Sequence, residues 1–164
     1  MRLRYRLWQF IGGALARVSD EDRREADAVL PPAAQVWFRA LPVDLQWHGL
    51  NVMRDLKAAG MDRAEVLAAA LLHDAGKAEA ASGPMQRGLM VLAKRFAPEW
   101  LARRTRLDWR TARGLDRVAA VAAQHPAFAA VRAALCGCSP LTWELIRRLQ
   151  DLAIADDPLL MLFQ

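Results

Sequence analysis

The stretch that decides the fold covers residues 62–77 and reads Asp-Arg-Ala-Glu-Val-Leu-Ala-Ala-Ala-Leu-Leu-His-Asp-Ala-Gly-Lys. Residues 66–72 include no polar side chain, and a helix that is apolar on every side is normally buried within a helical assembly. His73 and Asp74 end this predicted helix just before Gly76, a residue type that commonly terminates helices. Because burial of an unpartnered carboxylate is strongly unfavourable, the sequence predicts an ion pair or a bound metal here.

The rest of the chain also predicts helices, with proline, glycine and capping residues at their ends. We find no internal repeat and no strand-like alternation, so the predicted fold is an all-α, single-domain helical bundle. Residues 1–41 are predicted to be N-terminal helices packed on the core, and residues 42–164 the main part of one compact domain. The predicted helices cover residues 2–17, 21–30, 32–40, 42–59, 62–74, 84–96, a short stretch from Pro98, a stretch ending near Gln124, a further one to Leu135, and a last one from Pro140 to about Asp156.

Length and composition narrow the class of protein. A chain of 164 residues is long enough for one domain with a substantial core. We predict a cytoplasmic protein without a membrane span, because no apolar run approaches about 20 residues and no cleavage site follows the N-terminus. Cys136 and Cys138 are separated only by Gly137, which makes a poor disulfide pair and too few ligands for structural zinc. They are predicted to be reduced thiols in a turn.

The net charge of +5 is carried largely by arginines in two stretches. Four lie in residues 2–17, where apolar residues at helical spacing predict an amphipathic helix, and six lie in residues 103–117. A basic amphipathic helix can bind a membrane or nucleic acid, but a terminal helix packed on its own domain is the commoner case. Nucleic-acid binding is a weaker hypothesis than the two given at the end of this section, because an arginine-rich surface can bind phosphate in any form.

Histidines offer a more specific signal. His48 falls within or beside the apolar stripe of its predicted helix at about 100° per residue, so we expect it to face inward. A single such histidine is more often a hydrogen-bonded core residue than a ligand. The interpretation as a site depends on the combination of His48 with the pair His73 and Asp74 and with a second acidic pair, Asp156 and Asp157, which follows an apolar stretch.

This order of residues resembles the HD-domain superfamily of metal-dependent phosphohydrolases, and in particular its HDIG-like branch. The resemblance covers residues 42–157 and rests on His48, the motif Leu-Leu-His-Asp-Ala-Gly-Lys that contains His73 and Asp74, and Asp156 within Ile-Ala-Asp-Asp. It implies a helical bundle of the HD-domain type and a phosphohydrolase activity.

Two further segments bear on the resemblance. His125-Pro126 is similar to the His-Pro that opens a later helix in HDIG relatives, although Phe128 and Ala129 stand where Gly-Ala commonly follows. In two-metal relatives an Ile-Arg-Arg segment is often followed by histidine, whereas Leu149 and Gln150 follow it here. A single-metal site therefore fits better than a two-metal site, and Asp157 is the substitute if Asp156 is not a ligand.

The resemblance implies roles for individual residues. It implies that His48, His73, Asp74 and Asp156 ligate one divalent cation, for which Mn²⁺, Fe²⁺, Co²⁺, Ni²⁺, Zn²⁺ and Mg²⁺ are candidates. Asp74 and Lys77 are the candidate catalytic residues. Lys77 and arginines of residues 103–117 are candidates to hold phosphate, since guanidinium groups match phosphate oxygens. A further hypothesis is that Asp44, one turn before His48, orients its imidazole.

Two classes of function remain open at this stage. The first is a metal-dependent phosphohydrolase that acts on a nucleotide or other small phosphate ester through a metal-activated water. The alternative is a non-catalytic HD-like regulatory module that binds a nucleotide or a partner protein. The set of His48, His73, Asp74 and Asp156 favours the enzyme, since a decayed site has no reason to keep an inward histidine and a buried His-Asp pair.

Overall fold

The computed structural model describes residues 17–80, 89–90, 92–93 and 95–152. This part of the chain contains helices and no strand, which confirms the predicted all-α fold. Residues 89–96 are helical wherever they are described. The other helices are α1 (Asp20–Asp27), α2 (Pro32–Arg39), α3 (Val43–Ala58), α4 (Ala64–Leu72), a 3₁₀ helix (Ala75–Ala80), α5 (Pro98–Arg104), α6 (Gly114–Leu135) and α7 (Pro140–Leu152).

Residues at their N-terminal ends determine where the first two helices begin. Ser19 and Asp22 form a reciprocal capping box at the start of α1, in which the Asp22 N–H donates to Ser19 Oγ at 3.1 Å and the Ser19 N–H donates to the Asp22 carboxylate at 2.7 Å. Pro32 occupies the first turn of α2, where its missing N–H leaves no bond unmade. Ala26 of α1 and Phe38 of α2 are fully buried in the same core as the later helices.

Helix α4 lies at the centre of this core, as its composition predicts. Its side chains from Leu67 to Leu72 are all buried, with α3 packed on it and α7 also in contact. Asp62 and Glu65 have the spacing of a capping box, which predicts that Asp62 caps this helix, and this prediction is wrong. The helix begins at Ala64 with Arg63 as its N-cap residue and no side-chain cap, so Asp62 lies outside the position from which a carboxylate could cap it.

The approach of α3 to α4 depends on Gly49. A Cβ atom at Gly49 would lie 2.7 Å from the Leu71 carbonyl oxygen, a distance that real Cβ atoms essentially never show. Gly49 is the neighbour of His48, and Leu71 lies two residues before His73. The close contact of the two helix backbones therefore places the rings of His48 and His73 near each other, with their centroids 5.1 Å apart.

Helix α6 corrects a prediction. The sequence predicts a break at His125-Pro126, yet α6 runs without interruption over 22 residues with Pro126 inside it. Proline has no N–H, so the Ala122 carbonyl loses its usual helical partner. His125 replaces that partner, since its Nδ1 lies 2.9 Å from the Ala122 oxygen.

By length and composition α6 is apolar enough to cross a membrane, with a mean hydropathy of 1.3. The core helix of a soluble protein passes the same test, and α6 has the contacts of a core helix. Its buried residues include Val118, Ala119, Ala129 and Ala133, and it packs against the 3₁₀ helix and α7. The expected absence of a membrane span stays a prediction.

The Gly49 contact predicts the sign of a stability change. Alanine normally favours a helix over glycine by up to about 1 kcal/mol, so an unconstrained Gly49→Ala substitution would stabilise α3. Here the added methyl group meets backbone at 2.7 Å, and we expect the free energy of unfolding to fall by about 1 to 3 kcal/mol. Urea denaturation measures the change. A stabilised variant would show that α3 and α4 are not in such close contact.

Candidate metal centre

A buried carboxylate, that of Asp74, stands where four segments meet. His48 comes from α3, His73 is the C-cap residue of α4, and Asp74 follows directly. Lys77 belongs to the 3₁₀ helix and His125 to the middle of α6. Because these segments are packed together in the fold, five polar side chains that span 78 positions (125 − 48 + 1) surround one point.

Both oxygens of Asp74 are surrounded by nitrogen atoms. The Lys77 ammonium donates to Oδ2 at 2.5 Å, and His48 Nε2 lies 3.5 Å from the same oxygen. His125 Nε2 and His73 Nε2 lie 3.3 Å and 3.7 Å from Oδ1. The Asp74 side chain is only 13% exposed, so these four nitrogen groups replace most of its water.

Gly76 allows the chain that carries Asp74 to approach α6 closely, which is a different role from the helix end that the sequence predicts for it. The sequence suggests a glycine that ends α4 by turning out of register, but the described glycines with positive φ are Gly60, Gly114 and Gly137. A Cβ atom at Gly76 would instead lie 2.5 Å from the His125 carbonyl oxygen. The absent side chain thus permits the close contact that places Asp74 beside His125.

Backbone carbonyls fix the orientation of two imidazoles. His73 Nδ1 lies 2.8 Å from the Ala70 oxygen, and His125 Nδ1 lies 2.9 Å from the Ala122 oxygen. A carbonyl oxygen only accepts, so Nδ1 is the donor in both rings. In the neutral form of each ring, Nε2 then carries a lone pair on the side of Asp74, the tautomer typical of histidines that bind metals.

The pKa values favour this charge distribution. Burial lowers the pKa of His48 to about 4, although the negative charges of Asp74 and Asp44 act in the opposite direction. Burial likewise lowers the pKa of His73. Burial opposes ionisation of Asp74, but Lys77 and the surrounding imidazoles together hold its pKa well below the usual range. At neutral pH the centre therefore contains an ionised carboxylate and at least two neutral imidazoles.

These side chains fit a divalent cation. The ligand atoms of His48, His73 and Asp74 all lie within 4.8 Å of one another. The Nε2 lone pairs that face the carboxylate repel it unless a positive charge lies between them. Two imidazoles and one carboxylate are ligands that suit Mn²⁺, Fe²⁺, Co²⁺, Ni²⁺ or Zn²⁺. The group could therefore hold a metal ion.

The positions of the remaining predicted residues can be compared with this centre. The structure brings His48, His73, Asp74 and Lys77 together, whereas Asp156 and Asp157 lie outside the described residues. Asp44 is half-buried and close enough to affect the pKa of His48.

Sequence reasoning left His125 out of the ligand set, yet it is the imidazole nearest to Asp74. Its resemblance to the His-Pro of HDIG relatives was the available signal. The predicted helix break concealed that signal. With a break, His125 would lie at a helix end, whereas in the continuous α6 it faces Asp74 from the middle of the helix.

The six arginines of residues 103–117 differ in their contacts, and Arg110 lies 3.9 Å from Asp108 at the surface. Arg117 donates to the Glu79 carbonyl at 2.9 and 3.2 Å, and Arg104 pairs with Asp116 at 3.2 Å, so both hold the fold. The segment between α5 and α6 is held to α6 by the Gln124 amide, which donates to the carbonyls of Thr105 and Leu107. Arg103, Arg106 and Arg113 are exposed and have no ion pair among the described residues.

Comparisons of the chain with known protein families, with curated proteins and with solved structures gave no match. The function therefore has to be inferred from the chain's own side chains.

The lowered pKa of His48 predicts an acid-sensitive stability. Its folded-state value of about 4 lies below the unfolded value of 6.5, so the unfolded state binds the extra proton between these limits. The free energy of unfolding therefore has its full contribution from neutral His48 above pH 6.5. It loses this contribution as pH falls toward 4, at up to about 1.4 kcal/mol per pH unit.

This dependence can be measured by urea denaturation between pH 7 and pH 4 in the presence of a chelator. We expect the free energy of unfolding of a His48→Gln variant to fall less steeply with acid than that of the wild-type chain. Parallel curves for the two proteins would show that His48 is not held neutral by its surroundings.

Proposed function

We propose that the chain is a metal-dependent phosphohydrolase of the HD-domain type that acts on a nucleotide or other small phosphate ester. The observation that carries this proposal is the convergence of His48 with His73 and Asp74 from separate helices. Fixed Nδ1 hydrogen bonds at His73 and at His125 support it, because they direct Nε2 toward a buried carboxylate. A purely structural histidine needs no such arrangement around a charge.

In this proposal His48, His73 and Asp74 hold the cation, and Asp156 is the fourth ligand, with Asp157 as its substitute. His125 adds a third imidazole at Asp74 Oδ1. A bound divalent cation would lower the pKa of a water molecule and neutralise phosphoryl oxygens. The protein's part is to keep the imidazoles of His48 and His73 neutral and Asp74 ionised, which the buried surroundings and Lys77 achieve.

Ser19, Ser139 and Cys138 do not suggest a covalent mechanism instead. Ser19 is used in the capping box of α1, and Ser139 Oγ bonds with the hydroxyl and the N–H of Thr142 at the start of α7. Cys138 is buried, which raises the pKa of its thiol to about 11. A serine or cysteine nucleophile requires an adjacent base or a lowered pKa, and the described part of the chain offers these three residues neither.

Lys77 has two roles in the proposal. Its ammonium neutralises Asp74 at 2.5 Å, and its side chain is 33% exposed, so it reaches the solvent side of the centre. A lysine at this place can turn from the carboxylate to a phosphate group when a cation takes over the neutralisation of Asp74. Asp74 and Lys77 are therefore the proposed catalytic residues.

The same contact favours the second candidate function. With Lys77 bound to Asp74, the carboxylate is neutralised without a metal, as it would be in a non-catalytic HD-like module that binds a nucleotide or a partner protein. In that case the imidazoles would only complete the polar surroundings of the ion pair. Metal content and activity distinguish the two candidates.

Substitution of His73 tests the ligand assignment. We expect the protein purified without chelator to contain about one equivalent of a transition metal, and His73→Ala to reduce both metal content and hydrolysis by at least about a hundredfold, more than loss of a supporting contact costs. Elemental analysis measures the metal, and phosphate release measures the activity.

Arg63→Ala is the matched control, because Arg63 is exposed at the opposite end of α4. Arg54 is less suitable, since its guanidinium pairs with Asp22 and Glu25 and joins α3 to α1. If His73→Ala keeps the metal that the wild-type protein binds, or if Arg63→Ala loses it too, His73 is not a ligand.

Substitution of Lys77 separates catalysis from metal binding. We expect Lys77→Met to retain the metal and to reduce turnover about 10²- to 10³-fold, as loss of one well-aimed donor does. The substrates to test are nucleoside mono-, di- and triphosphates, cyclic dinucleotides and an aryl phosphate, each with Mn²⁺, Co²⁺, Ni²⁺ or Mg²⁺. No hydrolysis by metal-loaded wild-type protein would favour the regulatory module.

A further inference from the structure

The helix over residues 89–96 has one anchored side. Met90 is 8% exposed and packs with Val118 and Ala119 of α6, and Trp100 and Leu101 pack against the same small cluster. This contact fixes the rotation of the helix on the rest of the fold, and therefore determines which residues it presents to solvent.

Three large apolar side chains point away from that anchor. Leu89, Leu92 and Phe96 are 43%, 54% and 76% exposed. At about 100° per residue they fall within an arc of about 60°, and each is turned about 100° or more from Met90. Scattered exposed apolar residues need no explanation, but three aligned on one side of a helix are typical of an interaction surface.

The sequence on both sides of this apolar stripe is basic. Residues 84–107 contain six basic residues and one acidic residue, a net charge of 6 − 1 = +5 that equals the net charge of the whole chain. Arg95 lies over the Phe96 ring at 5.5 Å, and Arg103 and Arg106 are exposed without an ion pair among the described residues. We call this the basic apolar surface, formed by Leu89, Leu92, Phe96, Arg95, Arg103 and Arg106.

We propose that the basic apolar surface binds the surface of an anionic membrane. A lipid interface accepts leucine and phenylalanine into the acyl boundary while arginines pair with phosphate groups above it. Nucleic acid would take the arginines but offers aliphatic side chains no comparable environment. At a helical rise of about 1.5 Å per residue, Leu89 and Phe96 lie about 10 Å apart along the axis, far less than a bilayer core of about 30 Å, so the stripe lies along the membrane surface and does not cross it.

Vesicle sedimentation with the full chain tests this proposal, which is independent of the metal centre. Vesicles of phosphatidylcholine alone are compared with vesicles that also contain phosphatidylglycerol, at about 0.15 M salt, with chelator present. We expect the protein to sediment with the anionic vesicles, at least tenfold more than with the neutral ones, and to be released in part by high salt.

Matched triple variants identify the contacts. We expect at least tenfold weaker binding when the stripe is made polar, and no change when three more exposed apolar residues elsewhere are replaced, because only the stripe inserts. The stripe variant is Leu89→Gln, Leu92→Gln and Phe96→Gln, and its control is Val36→Gln, Val131→Gln and Leu135→Gln.

A second pair of variants tests the charge. We expect Arg95→Ala, Arg103→Ala and Arg106→Ala together to weaken binding to anionic vesicles more than the control that removes three exposed arginines elsewhere, Arg17→Ala, Arg24→Ala and Arg63→Ala. Thermal unfolding confirms that each variant is folded.

Three results would overturn the proposal. The first is failure of the wild-type chain to sediment with anionic vesicles. The second is undiminished binding of the stripe variant, which would leave only non-specific attraction of the arginines to phosphate. The third is a wild-type dimer that becomes a monomer in the stripe variant and does not bind vesicles, which would assign the stripe to a second copy of the chain.

Discussion

The negative charge of Asp74 must be compensated inside the helical core, and much of the described structure around it serves this need. Removing a carboxylate from water costs several kcal/mol even after relaxation, unless charges and hydrogen bonds replace the water. Lys77 supplies a positive charge at 2.5 Å, and three imidazoles occupy the remaining directions. An ion pair alone would not require burial to lower the pKa of His48 and of His73, nor Nδ1 to be bonded to backbone at His73 and His125. That combination is what distinguishes a centre able to bind a cation from a buried salt bridge.

Two glycines determine whether these groups can meet. Gly49 lets the backbones of α3 and α4 approach, which places His48 beside His73, and Gly76 lets the 3₁₀ helix approach α6, which places Asp74 beside His125. A methyl group at either position would meet a carbonyl oxygen at 2.7 Å or less. Since donors must lie within a few tenths of an ångström of their required positions to share one ion, a shift of that size would separate the group. The absence of side chains at two positions is therefore as important for the centre as its imidazoles and its carboxylate.

The sequence predicts the all-α fold and the buried α4 because a helix without a polar side lies on a core whatever its neighbours are. It also predicts that His48 faces inward, since helical periodicity gives the face of a residue, whereas the place of His48 near His73 and Asp74 was implied only by the family resemblance. Periodicity carries no distances, so the close approach at Gly49 and Gly76 could not be predicted. The continuity of α6 through Pro126 was missed for a related reason. Local rules place a break before a proline, whereas the contacts with α7 and the 3₁₀ helix keep α6 continuous and outweigh one lost hydrogen bond.

Pro126 also shows how a local defect contributes to the centre. In a regular helix every interior carbonyl is occupied by the N–H four residues later, so a histidine ring has to compete for one. Pro126 removes that N–H and leaves the Ala122 oxygen to His125 Nδ1. At the end of α4 the Ala70 oxygen serves His73 Nδ1 in the same way, from a position three residues before the ring. A helix terminus and a proline thus both leave a backbone carbonyl oxygen that can accept a hydrogen bond from an imidazole and so orient it. The two rings oriented in this way face the same oxygen of Asp74. Because both donate from Nδ1, both present the Nε2 lone pair to the same point, which is what two ligands of one cation require.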